Sequence, residues 1–391
     1  MLRFDPYAYE HHEDPFPTYR RLRDEAPAYF DEELGFWALS RHADVRSAVH
    51  DWQTYTSAEG ITLETTSDAT EPMIIEMDPP RHTQLRGLVS RAFTPRRIAA
   101  LEEPCRSLAR KLADRIAPTG ACDVIAEFAA IVPMAVISWM LDIPEAAQDQ
   151  LRAWSDAMLH REPGDPNVTP AGIEGATNLF IYFDQLVAER RERRGDDLVS
   201  VLIDAEEDGQ RLTHNELLGF CFLLIIAGNE TTTKLIGNAL YWLWRYPDQR
   251  ARLLADRSLV APAVEEVLRF DGSTQAMART LTRDVDLHGR TMEAGRKVLL
   301  LFGSANRDER FWGPTVDTFD LDRDTTGQLA FGHGIHYCLG AAIARLETRI
   351  ALEELLWRMP DYHVVEDGLE RVHSGNVRGY SRLPLEFTPL S

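Results

Sequence analysis

One stretch leaves this chain little choice of fold: LTHNELLGFCFLLIIAGNETTTKLIGNALYWLWRYP, residues 212–247. Thr213 and Glu216 make a capping-box pattern at its start, and Pro247 stops it. The spacing predicts one helix of roughly eight turns or more, long enough at about 1.5 Å per residue to cross a whole domain. Apolar residues occupy most of its circumference, so it must be buried along its length. The uninterrupted apolar run from Leu217 to Ala227 is too short to span a bilayer. The rest of the chain must therefore wrap around this helix, and 391 residues at 44 % hydrophobic content are enough to do so.

The surroundings suit that role. Helical periodicity dominates from about residue 80 to 270, and PFPTYRRLRDEAP begins an earlier helix. AYFDEELGFWALS alternates like a hairpin, and strand-like pieces return in ARTLTRDVDLHGRTM, in KVLLLFG and after MPDYHVV. The expected fold class is mainly α with a smaller β-rich portion drawn from both ends of the chain. No linker, repeat or low-complexity tract interrupts it, so residues 1–391 are expected to form a single domain.

With 62 acidic against 42 basic residues the net charge is -20, which argues against nucleic-acid or anionic-membrane binding. The polar start MLRFDPYAYEHHEDPFPTYRRL lacks the apolar segment of a signal peptide, so a soluble cytoplasmic protein is expected. Cys105, Cys122, Cys221 and Cys338 are far apart and unpaired in spacing, which disfavours a disulfide framework. The first three sit in helix-like surroundings and read as small buried hydrophobes.

Two places break the pattern. In the middle of the long helix, Gly228, Asn229, Glu230, Thr231, Thr232 and Thr233 put a flexible point and a polar cluster among Leu, Ile and Ala. Either the threonines bond back to carbonyls four residues earlier and merely bend the helix, or the helix opens locally with Glu230 and Thr231 facing a cavity. The second place is LAFGHGIHYCLGAAIAR, residues 329–345, where Cys338 lies between a glycine-rich turn and a helix start. A thiol there is favoured as thiolate by the helix dipole and free N–H groups, and a thiolate binds metal. Gly340, Ala341, Ala342 and Ala344 leave room for a bulky planar group. A nucleophilic cysteine activated by His336 or His333, or a zinc site using Cys338, His336 and His333, are the competing readings.

FGHGIHYCLG resembles the haem-ligand loop of the cytochrome P450 family, with Phe331, Gly332, Gly334, His336, Cys338 and Gly340 on its pattern. AGNETT, residues 227–232, resembles that family's oxygen-activation motif. EEVLRF supplies its Glu-x-x-Arg pair as Glu266 and Arg269, and FDLDRD supplies the later arginine as Arg323. The motifs occur in order, and the resemblance runs from near residue 10 to the C-terminus.

The resemblance implies a cytochrome P450 fold holding haem b, with Cys338 as the iron ligand and His82, Arg86, Arg279 and His336 on the propionates. It implies a monooxygenase in which Glu230 and Thr231 carry or position protons for O2 activation, while Glu266, Arg269 and Arg323 form a buried structural network. Glu230 is longer than the Asp of many relatives. The resemblance puts the pocket roof in residues 57–74 and from residue 156 into helix-like ATNLFIYFDQL, with Leu223, Ala227, Gln275, Met277 and Val377 on the walls. Those residues point to a largely apolar organic substrate of steroid, polyketide, terpenoid or fatty-acid type. A haem-thiolate binding or sensor protein without turnover and a peroxide-driven oxygenase are the alternatives.

An anomaly in charge suggests the partner. Arg81, Arg86, Arg91, Arg96 and Arg97 gather within one short segment, and Arg345 and Arg349 follow Cys338. By the resemblance both segments border the cysteine side of the haem, so the expected electron donor is an acidic ferredoxin, served by an NAD(P)H-dependent reductase.

Overall fold

The computed structural model describes residues 2–64, 73–162, 165, 167–205 and 210–390. Its axis is the helix His214–Arg245. The capping box forms as its sequence requires: the Glu216 N–H donates to Thr213 Oγ1 at 3.1 Å, and the Thr213 N–H donates to the Glu216 carboxylate at 2.8 Å. Glu216 also receives the Arg81 guanidinium, Nε to Oε1 at 2.7 Å, which ties the helix start to the helix Arg81–Ser90.

The apolar circumference is used on all sides. Around the first half pack Met134, Leu151, Leu179, Phe183 and Leu202, which with Leu217, Phe220 and Ile225 make one core. Around the second half, Leu235, Ile236, Ala239 and Leu240 join Phe128, Val267, Leu268, Ile350 and Leu352 in another. The central helix thus belongs to both cores, which is why no face of it is polar throughout. Its neighbours are the helices Ile131–Leu141, Glu145–Leu159, Pro170–Glu192, Val260–Asp271 and Ala341–Leu355.

The β-rich portion is built from distant parts of the chain. Its five-stranded sheet runs Ala28–Asp31, Phe36–Leu39, Lys297–Leu301, Ala276–Leu281, Tyr55–Thr56. Only the Phe36–Leu39 and Lys297–Leu301 pair is parallel, and a long crossover through the helices joins its strands. The strand in KVLLLFG ends at Leu301, and Phe302 and Gly303 already belong to a short helix. A strand Ala121–Asp123 interrupts the helical stretch to pair with Pro384–Glu386 near the C-terminus.

Cys105, Cys122 and Cys221 are buried free thiols, each pushed up to about 12 by burial, as small hydrophobes should be. Among the described residues, no single helix is long and apolar enough to cross a membrane.

A buried ion network fixes the segment that leads to Cys338. Arg269 donates to both Glu266 oxygens, at 2.8 and 2.7 Å, and to the carbonyls of Asn306 and Val316 at 3.1 and 3.0 Å. Arg323 reaches the same carboxylate at 3.3 Å and the Thr315 carbonyl at 2.8 Å. The three side chains bind residues 306–323 to the helix Val260–Asp271.

Candidate functional site

The Cys338 loop is shaped by backbone needs that only its glycines meet. Gly332 and Gly334 adopt φ of +64° and +67°, and a Cβ on Gly334 would lie 2.6 Å from the Val49 carbonyl oxygen. The turn closes when the Cys338 N–H donates to the Phe331 carbonyl at 3.0 Å. Asn306 accepts the Leu329 N–H at 2.7 Å, linking the loop to the carbonyls held by Arg269. The Phe331 ring lies 4.6 Å from the Arg345 guanidinium.

Cys338 precedes Gly340, the N-cap of the helix Ala341–Leu355. Its sulfur accepts N–H groups of Gly340 and Ala341, and Arg86 and Arg345 add positive charge. Without a metal, burial outweighs these and raises the thiol pKa, and the thiolate expected at this helix start is the form that a bound metal would favour. The cysteine is only half-buried, and a Cβ on Gly340 would meet nothing within 4 Å, so there is open space beside the sulfur.

Next to that space is a cluster of basic side chains with little to balance it. The His82 and His336 rings are 4.4 Å apart, and His336 also meets the Ser57 hydroxyl at 3.2 Å. Burial, then the charges of Arg279, His82 and Arg86, lower His336 to about 3. Burial and then Arg86 lower His82 to about 4, and burial lowers Arg279 to about 10. The carboxylate acting on them, Asp78, is itself engaged by Thr56 and Ser57. Among the described residues His82 Nδ1 is buried without a partner. Arg86 donates to the Tyr337 carbonyl at 2.6 Å, beside the cysteine. Such a cluster calls for anions, and a flat group bearing two carboxylates and a metal that takes a thiolate satisfies both halves of the site. The residues present therefore fit a haem.

The competing readings of Cys338 find no support in the geometry. Among the described residues no group of three His, Cys, Asp or Glu is placed to hold a metal ion, so Cys338, His336 and His333 do not form a zinc site. His333 turns to His50, with rings 4.7 Å apart, and His336 turns to Ser57 and His82, so neither serves the thiol as a base.

On the central helix the back-bonding reading holds at Thr231 and the reading of a local opening does not. The helix is continuous from His214 to Arg245, and Thr231 Oγ1 donates to the Ala227 carbonyl at 2.6 Å, so the expected opening is absent. Back-bonding satisfies the hydroxyl without breaking the ladder. Thr233 donates to the Ala129 carbonyl at 3.2 Å. Glu230 does not share Thr231's side: it is buried, with Lys234 Nζ at 2.9 Å and the Asp156 carboxyl hydrogen-bonded to it. Successive helix residues diverge by about 100°, which separates the two.

Leu223, Ala227 and Thr231 are spaced by four and share one face; Ala227 is exposed and the other two half-buried. Met277 is half-buried against the sheet core. Gln275 and Val377 are corrected. Both are buried and border a small cavity of about 20 Å³ with His11, His12 and Tyr19, a space that Leu223, Ala227 and Met277 do not line. The Gln275 side-chain N–H donates to the Gly272 carbonyl at 2.7 Å, which fixes the amide in this buried place, while its Oε1 has no partner among the described residues. In the expected roof, residues 65–72, 163, 164 and 166 lie outside the described residues. At its described edges Arg161 pairs with Glu64 at 3.1 Å.

The arginines also divide. Arg81 is taken by Glu216, Arg345 by Glu265 at 3.0 Å and Arg349 by Glu102 at 2.8 Å, whereas Arg96 and Arg97 are exposed and make no ion pair among the described residues. Sequence reasoning missed Asp78, Ser57, Lys234 and Asp156. Lys234 was legible as an i, i+4 partner of Glu230; the others join the site only through tertiary contacts.

The cytochrome P450 family model matches residues 174–359. The chain is 46 % identical to cytochrome P450 123 of Mycobacterium tuberculosis, covering 98 % of this chain and 96 % of that one. It is 39 % identical to the vitamin D(3) 25-hydroxylase of Pseudonocardia autotrophica, covering 97 % and 95 %. The solved structure of cytochrome P450 CYP109Q5 from Chondromyces apiculatus superposes with a TM-score of 0.91 at 37 % identity, over 100 % of this chain and 99 % of that one.

Proposed function

The chain belongs to the cytochrome P450 family, whose cofactor is haem b, and we propose that this monooxygenase inserts one atom of O2 into a largely apolar organic substrate. An acidic ferredoxin and its NAD(P)H-dependent reductase supply the electrons. Residues 1–391 act as one domain, in the cytoplasm. The observation that carries this reading is the half-buried Cys338 thiol beside the under-balanced cluster of His82, Arg86, Arg279 and His336.

Bound haem supplies O2 activation, favoured by thiolate ligation. The chain's residues do the rest. Cys338 holds the metal with its sulfur steadied by the Gly340 and Ala341 N–H groups. His82, Arg86, Arg279 and His336 would receive the two propionates, which would offset the burial of the basic groups. Gly340 leaves room for the flat ring. Thr231 Oγ1 holds a proton donor at the face shared with Leu223 and Ala227, and those two apolar side chains exclude water and favour an apolar substrate. Glu230 is paired with Lys234 and with the Asp156 carboxyl, and the two carboxyl groups hold the next proton between them.

The relative named for vitamin D(3) 25-hydroxylation makes a steroid-like substrate the first to try. The test is a carbon monoxide difference spectrum of the reduced protein, followed by vitamin D3 titration and turnover with ferredoxin, reductase and NADPH. A thiolate-type Soret band lost in Cys338→His and product formation from NADPH support the reading. An unchanged band in Cys338→His overturns it, and efficient turnover with hydrogen peroxide alone replaces the ferredoxin by peroxide.

A further inference from the structure

Glu230 adjoins Thr231 in sequence but points to another side of the helix, where it is almost wholly enclosed, with 5 % of its surface exposed. A buried acid of this kind can give up a proton once; turnover needs it refilled. The group that meets it from outside the central helix is Asp156, on the helix Glu145–Leu159. The two carboxyl groups are hydrogen-bonded to each other, and two ionised carboxylates cannot share such a bond, so the pair holds a proton between them. Asp156 is exposed where Glu230 is not, so the pair has one end open and one end buried.

The surrounding charges sort the two roles. Lys234 Nζ, 2.9 Å from Glu230 and itself buried, favours the ionised form of Glu230. Burial and the hydrogen bond and charge of Glu230 push Asp156 well above the usual carboxylate range, while Lys234 and Arg152 act the other way. Arg152, one turn back on the same helix, is held by Asp149 at 3.2 Å. The resting pair is thus a protonated Asp156 donating to an ionised Glu230.

We propose that Asp156 is a positioning residue for oxygen activation that reloads Glu230 with protons from the open side of the molecule. The inference rests on the monooxygenase reading above. In each step the Asp156 O–H bond breaks as a Glu230 O–H bond forms, the neutralised Glu230 side chain leaves Lys234 and turns to carry that proton to the Thr231 side, and solvent reprotonates Asp156. The electrons come from the NADPH, reductase and ferredoxin chain. Reduction of O2 to water consumes four electrons and four protons, and release as hydrogen peroxide consumes two of each, so slow reloading shifts the product toward peroxide.

The experiment uses the haem-loaded enzyme without organic substrate, with ferredoxin, reductase and NADPH, and measures oxygen uptake, peroxide and the solvent isotope effect across pH. Asp156→Asn keeps the size and a hydrogen-bond donor to Glu230 but has no proton to give. It should lower the water-forming rate by about 10²-fold, raise the peroxide share and the isotope effect, and abolish the alkaline limb of the pH profile. Asp156→Glu should restore most of the rate, and Glu145→Gln, at the exposed start of the same helix, should change nothing. Independently of turnover, the infrared carbonyl band of a protonated carboxyl at neutral pH should disappear in Asp156→Asn. A thiolate-type carbon monoxide spectrum together with wild-type peroxide share, isotope effect and infrared band in Asp156→Asn overturns the proposal. Loss of that spectrum in the unmodified enzyme would instead overturn the monooxygenase reading.

Discussion

Replacing Arg269 by alanine tests whether the site depends on the network beneath it. The guanidinium is fully buried and makes two bonds to Glu266, two to the carbonyls of Asn306 and Val316, and a longer one of 3.4 Å to the Thr318 carbonyl, which Arg323 also serves. Removing it leaves a buried carboxylate, but not a bare one, because the Asp320 N–H at 3.0 Å and Arg323 at 3.3 Å remain. The ion-pair loss therefore belongs at the low end, about 3 kcal/mol. The two orphaned carbonyls add about 1–2 kcal/mol each, for a sum of about 5–7 kcal/mol. That equals the whole stability of many domains, about 5–15 kcal/mol, so Arg269→Ala should be partly unfolded without denaturant and should lose haem.

Arg269→Lys retains the charge but not the fork and should cost less. Arg323→Ala should cost least, since Arg323 is closer to the surface and touches Glu266 at the longer distance. Urea unfolding followed by far-ultraviolet circular dichroism, with haem content after gel filtration, gives the ranking. An Arg269→Ala protein within about 1 kcal/mol of wild type and fully haem-loaded would refute the reasoning.

Thr231→Ala should retain haem and substrate affinity but lose about 10²-fold or more in coupled turnover, with the electrons recovered as peroxide; unchanged coupling would make the Ala227 contact purely structural. Charge reversal at Arg96 or Arg97 should slow reduction by an acidic ferredoxin in stopped-flow and flatten its salt dependence, whereas Arg345→Glu should also disturb the loop, since it breaks the pair with Glu265. For haem-free protein, the sign of the pH effect follows from His82, whose pKa is lowered to about 4 by burial. The unfolded chain binds a proton near 6.5 that the folded one refuses, so stability is full above that pH and falls as the pH drops toward 4. His82→Gln should flatten this loss in urea midpoints, and bound haem, whose propionates accept from a charged His82, should reduce it too.

Local chemistry decided a good deal of this protein in advance. The capping box, the apolar circumference and Pro247 specify the central helix, because each acts within a few residues of itself. Gly332 and Gly334 specify a turn that L side chains would strain, and the resulting loop places Cys338 before a helix whatever the rest of the chain does. The Glu266 and Arg269 pair, three apart, was readable as one face of a helix. What the sequence does not hold is the sign of competing long-range terms. How far Cys338 is drawn toward its thiolate depends on burial set against two N–H groups and two arginines. Whether Thr231 opens the helix depends on a carbonyl four residues back that is free to take its hydroxyl. Glu230 faces Lys234 and Asp156 because the helix Glu145–Leu159 packs across the central helix there, a contact over seventy residues of chain that no spacing rule encodes. Desolvation and non-local pairing are properties of the packed molecule, so only the tertiary structure could decide them.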